Sequence, residues 1–264
     1  MNSVDVTVAD ARGGAEPAPA SRPRVRPRQG LIGLTLCALV LGAWLALHVC
    51  SVFFFPLEGE NWLLAPVIVA VQCWLTVGLF IIAHDAMHGS LAPFRPRVNA
   101  RIGAAILFLY AGFGWRKVRA AHMAHHHAPG TDADPDFFAG DPERFWPWFK
   151  TFFARYFGLG SVLFVSSVVT IYLAILGARV ENVVLFYGLP SLLSSLQLFY
   201  FGTYLPHRHE KEGFSDRHNA RSNEFGTLAS LLTCFHFGYH HEHHLSPYVP
   251  WWALPQEHRR TKVG

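Results

Sequence analysis

The chain has 264 residues, of which 51% are hydrophobic and only 15% are charged, whereas soluble domains carry roughly 25% charged residues. Its mean hydropathy is +0.22 and its formal net charge is +4. This composition excludes a disordered chain and an ordinary nucleic-acid-binding domain, and it disfavours a water-soluble globule. The four cysteines lie in apolar stretches without paired spacing, which indicates packing roles rather than disulfides or a CxxC metal site.

The N-terminal segment 1–30 is rich in Ala, Pro and Arg, and it shows no apolar periodicity. We interpret it as a disordered, solvated cytoplasmic tail. A signal peptide is disfavoured because the apolar run that follows, 31–55, is much longer than an h-region of roughly 7–15 residues. Residues 31–264 are expected to form one membrane domain.

Four segments are long enough to cross a bilayer, which takes about 20 apolar residues. They are 31–55, 62–83, a third near 158–177, and 183–205. Two shorter apolar stretches, 102–114 and 225–239, suit interfacial or re-entrant helices. The predicted fold class is therefore an all-α integral membrane protein with four transmembrane helices and short interfacial helices.

Basic residues predict the orientation of these helices, because cytoplasmic loops carry an excess of Lys and Arg. The tail and the segments 84–157 and 206–264 hold nearly all basic residues, whereas the connection 56–61 has none. The turn near 178–182 has only Arg179. Both termini and the long basic segments are therefore expected on the cytoplasmic side.

Fourteen of the sixteen histidines fall between His84 and His244, and most of them form three clusters. The clusters are His84 and His88; His122, His125 and His126; and His240, His243 and His244. The i, i+3 and i+4 spacings place each set within an arc of about 100° on one helix face. A lone pair is usually a hydrated helix end, but three matching clusters predict a shared metal centre in a cytoplasmic, histidine-rich cap.

Eight clustered imidazoles exceed what one tetrahedral zinc ion can use, so the pattern predicts two metal ions. Imidazole suits Fe, Cu, Zn and Ni, and the ligand type leaves the metal open. Bis-histidine haem proteins place single histidines on facing spans, whereas these lie in helical turns at span ends. The HExxH motif of zinc proteases is not present in the sequence.

The histidine boxes resemble those of the membrane fatty acid desaturase/hydroxylase superfamily. Finer motifs are similar to those of the bacterial β-carotene ketolases, over roughly residues 31–250. These motifs are HDAMHG (84–89), HMAHHHAPGTDADPDF (122–137), GTYLPHR (202–208), RHNARS (217–222) and FHFGYHHEHHLSP (235–247).

The resemblance implies that 31–264 is a membrane di-iron oxygenase domain in a bacterial inner membrane. Two non-haem Fe ions would activate O₂ and oxidise the ring C4 methylene of β-carotene, taken from the bilayer. Two hydroxylations and loss of water would give the ketones echinenone and canthaxanthin, on the route to astaxanthin. Electrons would come from a separate ferredoxin-type reductase system, because the chain has no GxGxxG or flavin-like motif.

His207 stands apart from the three boxes, at the predicted cytoplasmic end of the fourth span. The resemblance implies an additional histidine ligand at this place, although an ordinary interfacial histidine after Pro206 is the alternative. The predicted catalytic and metal-binding residues are His84, His88, His122, His125, His126, His207, His240, His243 and His244.

Acidic residues beside the boxes could accept the second N–H of metal-bound imidazoles, or they could be solvated charges or helix caps. They are Asp85, Asp134, Asp136 and Glu242. Three further polar residues could organise the cap or contact the electron donor; they are Arg208, Asn219 and Arg221.

The remaining histidines carry separate expectations. His48 is expected to be a packing residue of the first span, and His258 an exposed residue of the basic C-terminal tail. The side chains of His127, His209 and His241 are expected to point to helix faces other than those of the predicted ligands. A metal role stays open for His218 and His236. An interfacial aromatic belt is predicted from Trp146, Trp148, Trp251 and Trp252.

Two other functions compete with carotenoid ketone formation. A carotenoid hydroxylase or lipid desaturase would use the same chemistry. A membrane metal-ion transporter would string polar ligands through its spans, but 31–55 and 183–205 contain no carboxylate.

Overall fold

The computed structural model describes residues 25–210 and 213–263, and every regular element within them is helical. The longer helices are α1 (Gln29–Phe54), α2 (Ala65–His88), α3 (Pro96–Ala111), α4 (Trp115–His127), α5 (Phe145–Tyr156), α6 (Leu159–Ile175) and α7 (Val180–His207). Three shorter helices follow: α8 (Thr227–Cys234), α9 (His240–Leu245) and α10 (Leu254–Val263). The predicted all-α class is confirmed for the described residues. Residues 1–24 of the predicted tail lie outside them.

By length and composition, α1, α2 and α7 can each cross a membrane, with 26, 24 and 28 residues. The pairs α3–α4 and α5–α6 are bent by 102° and 78°, so the described residues offer three to five spans. The predicted segment near 158–177 corresponds to α6, and 102–114 covers the end of α3 and its bend into α4. An integral membrane fold is confirmed at this level, whereas the number four stays a prediction.

Helix α2 is the central element, and its ends follow local sequence rules. Pro66 stands in its first turn, where a missing backbone N–H is tolerated. Gly89 ends it with a φ of 76°, a left-handed conformation that glycine adopts without strain. Most side chains of its C-terminal half are buried, because α1, α3 and α7 pack around it.

The sharp bend between α3 and α4 depends on a close approach of an aromatic ring. A Cβ at Gly103 would lie 2.0 Å from Cζ3 of Trp115, so only glycine lets the indole lie against α3. The Trp115 ring fills the bend between α3 and α4, and α4 folds back beneath the end of α2. This corner brings the second histidine box to the first.

An ion pair joins two connections at one end of the bundle. Arg179, just before α7, contacts Glu58, just before α2, with an Nη1–Oε1 distance of 3.0 Å. The helices α2 and α7 therefore start at the same end and run in the same direction. Their histidine-bearing C-termini meet at the opposite end.

Candidate metal centre

Four helix segments deliver the nine predicted histidines to one place. The last turns of α2 and α4 carry the first two boxes, α9 carries the third, and the last residue of α7 is His207. The π-helical turn Tyr200–Tyr204 precedes His207. It passes close to Phe237, whose ring would lie 3.2 Å from a Cβ at Gly202.

The ring nitrogens form two groups, within each of which all candidate ligand atoms lie within 4.8 Å of one another. The first histidine group contains His84, His88, His122, His126 and His243. The second histidine group contains His125, His207, His240 and His244. Every predicted site residue falls in one group, and the second and third boxes are each divided between the two.

Several Nε2 atoms face each other directly. The distances are 2.7 Å between His88 and His122, 3.0 Å between His126 and His243, 2.9 Å between His207 and His240, and 3.0 Å between His240 and His244. Neighbouring ligands of one metal ion with metal–nitrogen bonds of about 2.0–2.1 Å are expected to be about 3 Å apart. The spacing therefore fits imidazoles that converge on metal ions.

Unpartnered nitrogen atoms support the same fit. Among the described residues, both ring nitrogens of His84 and Nδ1 of His240 and His244 are buried without a hydrogen-bond partner. A buried polar atom left unpaired costs about 1–3 kcal/mol, and bound metal would satisfy the free Nε2 of His84. Two ions, one for each histidine group, are what this donor set can hold.

The protonation state of the third box also suits metal binding. Burial lowers the pKa of His240, His243 and His244 well below the ordinary histidine range, and the neighbouring imidazoles lower it further. These rings are therefore neutral near pH 7. Neutral imidazole is the form that binds a metal ion.

Asp134 orients the second histidine group. Its Oδ2 lies 2.8 Å from Nδ1 of His125 and accepts the N–H of Gly130 at 2.9 Å. Burial raises the pKa of Asp134, but the hydrogen bond and charge of His125 and the backbone donors lower it more, so the net pKa lies below the ordinary value. The charged carboxylate directs Nε2 of His125 toward its group.

The other predicted acidic residues have different surroundings. Asp85 accepts the backbone N–H of Trp251 at 3.1 Å, and its Oδ1 is 3.9 Å from His84 Nδ1, too far for a hydrogen bond. Glu242 points away from the histidine groups toward Ser222 and His258. Asp136 accepts the Tyr156 hydroxyl.

A cavity of about 270 Å³ ends at the histidine groups. His84, His122, His125 and His240 form its inner end. Its walls are mainly aromatic and aliphatic, and they include Phe80, Phe113, Phe152, Phe157, Leu198 and Phe237. The sequence alone did not identify these wall residues, because phenylalanines are common throughout the chain and none belongs to a motif.

The fatty acid desaturase family model matches residues 60–168 and 159–263. The chain belongs to this family. It is 54% identical over 224 residues to a β-carotene ketolase from a Paracoccus strain, covering 84% of this chain and 90% of the relative. It is 52% identical over 235 residues to a β-carotene ketolase from a second Paracoccus strain, covering 89% and 94%. A zeaxanthin 4-ketolase from Chlamydomonas reinhardtii is 36% identical over 241 residues, 87% of this chain and 54% of that relative.

Two predictions about residues near the site were wrong. His258 is buried rather than exposed, because α10 folds back on α9 and places its ring 2.8 Å from Glu242 and in a stack with Tyr239. Trp148 and Trp251 are 1% and 8% exposed, so they are core residues. Trp146 is 60% exposed, as a membrane belt requires.

The structure also gives the surroundings of the other histidines and of the polar cap residues. His48 pairs with the Tyr172 hydroxyl at 2.9 Å as a packing residue. Five other histidines lie outside both histidine groups; they are His127, His209, His241, His218 and His236. In the cap, Asn219 bonds to the carbonyl of Pro129 and accepts from His207 through its own carbonyl. Arg221 donates to the carbonyl of Arg208, and these contacts favour the organising role over donor contact.

Proposed function

We propose that this chain is a membrane carotenoid ketolase that converts the ring C4 methylene of β-carotene to a ketone with O₂ and two histidine-bound iron ions. The observation that carries the proposal is the aromatic cavity that ends at two adjacent histidine groups. Its chemistry follows from the similarity of most of the chain to β-carotene ketolases. The nine histidines of the two groups are the proposed ligands, five for one ion and four for the other.

The substrate reaches the site from the bilayer. Leu192 lines the cavity and is 49% exposed on α7, and Gly188 and Phe157 stand beside it in the cavity wall. This side of α7 faces lipid if α7 is a span. An apolar carotenoid can therefore slide one ring into the cavity while the rest of its chain stays in the membrane.

Iron held by the histidine groups would supply the oxidation of the allylic C4–H bond. The protein binds and orients the ring against the inner wall of His84, His122 and His240, and the aromatic lining excludes water. In each of two steps a C4–H bond becomes C4–OH, with one O₂, two electrons and two protons consumed and one water formed. The resulting geminal diol loses water to leave the ketone.

We propose four spans, namely α1, α2, α6 and α7, with the histidine end in the cytoplasm of a bacterial inner membrane. The Arg179–Glu58 ion pair supports this arrangement, because it places both short connections at the end away from the histidines. Exposed basic residues of α4 beside the site, Arg116, Lys117 and Arg119, favour docking of an acidic ferredoxin-type electron donor.

The test is expression in a β-carotene-producing bacterium, followed by chromatography of the pigments and detection of the protein in membranes. Ketocarotenoids are expected from the wild-type chain and none from His240→Ala. Hydroxylated carotenoids without ketones, or altered acyl chains, would favour the hydroxylase or desaturase alternative. Abundant membrane protein with unchanged β-carotene would overturn the proposal.

A further inference from the structure

The cavity carries one carboxylate among its described lining residues, that of Asp136. A hydrocarbon ring has no hydrogen-bond donor for it, and burial of a charged group in an apolar cavity is unfavourable unless the group is paired. We infer that Asp136, supported by Tyr156, binds the alcohol made by the first hydroxylation and so positions the same carbon for the second. The inference rests on the proposed ketolase function.

The backbone around Asp136 is fixed from two sides. Its N–H donates to Oδ1 of Asp134 at 2.8 Å, and its carbonyl accepts the indole N–H of Trp148 at 2.7 Å. Trp148 is almost fully buried, and Asp134 is held by His125. The position of the Asp136 side chain is therefore coupled to the second histidine group.

The distance to the site suits contact with a reacting ring. A carboxylate oxygen of Asp136 and a ring nitrogen of His125 lie within 4.8 Å of each other. His125 and Asp136 both line the cavity. A hydroxyl on a carbon held next to the histidine groups is thus within reach of this carboxylate.

One oxygen of the carboxylate is available to a ligand. Oδ1 accepts the hydroxyl of Tyr156, which also lines the cavity. Oδ2 has no hydrogen-bond partner among residues 25–210 and 213–263. It can accept the O–H of a ring alcohol.

Three other hydroxyl groups in the cavity wall already have partners, whereas the Thr203 hydroxyl has none among residues 25–210 and 213–263. The hydroxyls of Ser191 and Ser195 donate to carbonyls of their own helix at 2.7 and 2.8 Å. The Tyr110 hydroxyl is paired with Ser194 at 3.0 Å. These groups are satisfied without substrate, which distinguishes them from Asp136.

The consequence is a reaction that continues past the alcohol. The first hydroxylation leaves C4 with one O–H and one C–H. The hydrogen bond from that O–H to Asp136 retains the alcohol in the cavity and keeps the remaining C4–H beside the histidine groups. Without the bond, the alcohol can return to the bilayer before a second turnover. Asp136 is thus a positioning residue that favours ketone over alcohol.

Product ratios give the first test, in the full-length protein supplied with β-carotene. Asp136→Leu is expected to lower the ketone-to-alcohol ratio roughly fivefold or more, the effect of one hydrogen bond. Asp136→Asn keeps an acceptor oxygen and should recover part of the ratio, and Tyr156→Phe should lower it less than Asp136→Leu. Asp132→Leu, the same change at an exposed carboxylate outside the cavity lining, is the control with an unchanged ratio.

Binding gives a test that does not depend on turnover. Quenching of tryptophan fluorescence in the purified iron-loaded protein, without electron donor, reports the dissociation constants of β-carotene and its ring 4-alcohol. The wild type and Asp132→Leu should prefer the alcohol, Asp136→Leu should not, and Asp136→Asn should be intermediate. Iron content is measured for each variant, so that loss of the site is separated from loss of the preference.

The products of the wild type and of the variants distinguish an error in the role of Asp136 from an error in the proposed function. If the wild type makes no ketone, the proposed function is wrong. If the wild type makes ketone but Asp136→Leu and Asp136→Asn, with normal iron, keep its product ratio and its preference for the alcohol, the role of Asp136 is wrong.

Discussion

His207 is isolated in the sequence, yet its ring lies within the second histidine group. Its Nε2 is 2.9 Å from that of His240, and its Nδ1 is 2.7 Å from the carbonyl of Asn219. The carbonyl can accept only from a protonated Nδ1, which leaves Nε2 free for a metal ion. The backbone of the RHNARS motif therefore sets the tautomer of His207, a proposed ligand that lies 33 residues before His240.

We predict that His207→Ala abolishes ketone formation and lowers the iron per chain by about half, because one of the two histidine groups loses a ligand. His209→Ala is the matched control. The His209 ring is exposed and packs beside Phe137, so this variant should keep its iron and most of its activity. Iron analysis and pigment chromatography measure both effects. Full iron content and normal activity in His207→Ala would show that His207 is not a metal ligand.

Asp134 gives a second prediction at the residue scale. Its hydrogen bond to His125 fixes a proposed ligand without contact to the metal. Asp134→Asn should weaken iron binding by about 10–100-fold, the usual effect of removing such a partner. The exposed neighbour Asp132 provides the control variant Asp132→Asn. A chelator titration that releases iron equally from both variants would contradict the assignment.

At the scale of elements, α10 holds α9 in place. Glu242 lies between the histidines of α9 but faces away from them, where it accepts from His258 at 2.8 Å and Thr261 at 3.1 Å on α10. Burial raises the pKa of Glu242, but hydrogen bonds from Ser222 and His258 lower it further, so the net pKa is below the ordinary value. Because the folded-state pKa is depressed, this contribution to stability is present at neutral pH and is lost only as the pH falls through that lower value.

Removal of the α9–α10 contact should therefore loosen the third box. His258→Ala leaves a buried carboxylate oxygen with one donor fewer, at a cost of about 1–3 kcal/mol. We expect faster iron loss to a chelator and a lower thermal unfolding temperature, whereas Arg259→Ala, on the exposed side of α10, should resemble the wild type. Equal iron-release rates in His258→Ala and Arg259→Ala would show that α10 does not support the site.

For the whole molecule, the cavity must open to lipid if a carotenoid is the substrate. Leu192 and Leu193 are neighbours on α7 and are 49% and 37% exposed, but only Leu192 lines the cavity. Leu192→Trp should narrow the opening and lower ketone formation about tenfold with normal iron, because a pocket must enclose most of its ligand. Leu193→Trp adds the same ring toward lipid and should change little. Equal activity of the two variants would place the substrate path elsewhere.

Several features follow from the sequence alone because they depend on local periodicity. Apolar runs predicted α1, α2 and α7, and the i, i+3, i+4 spacing predicted that each histidine box lies on one face of a helix. His207 was singled out only through the family resemblance. The histidines that the structure brings together were thus predictable from short-range patterns and one family likeness.

Only the tertiary structure decided how these residues combine. The division of the second and third boxes between two histidine groups depends on how α4 and α9 approach α2, and α4 is placed by the Gly103–Trp115 corner. His258 and Trp148 are buried by segments distant from them in sequence, which no local pattern reports. The cavity likewise exists only between packed helices, since its wall residues come from α2, α3, α4, α5, α6 and α7. Spacing along the chain determines the face of one helix, whereas packing between helices determines which faces meet.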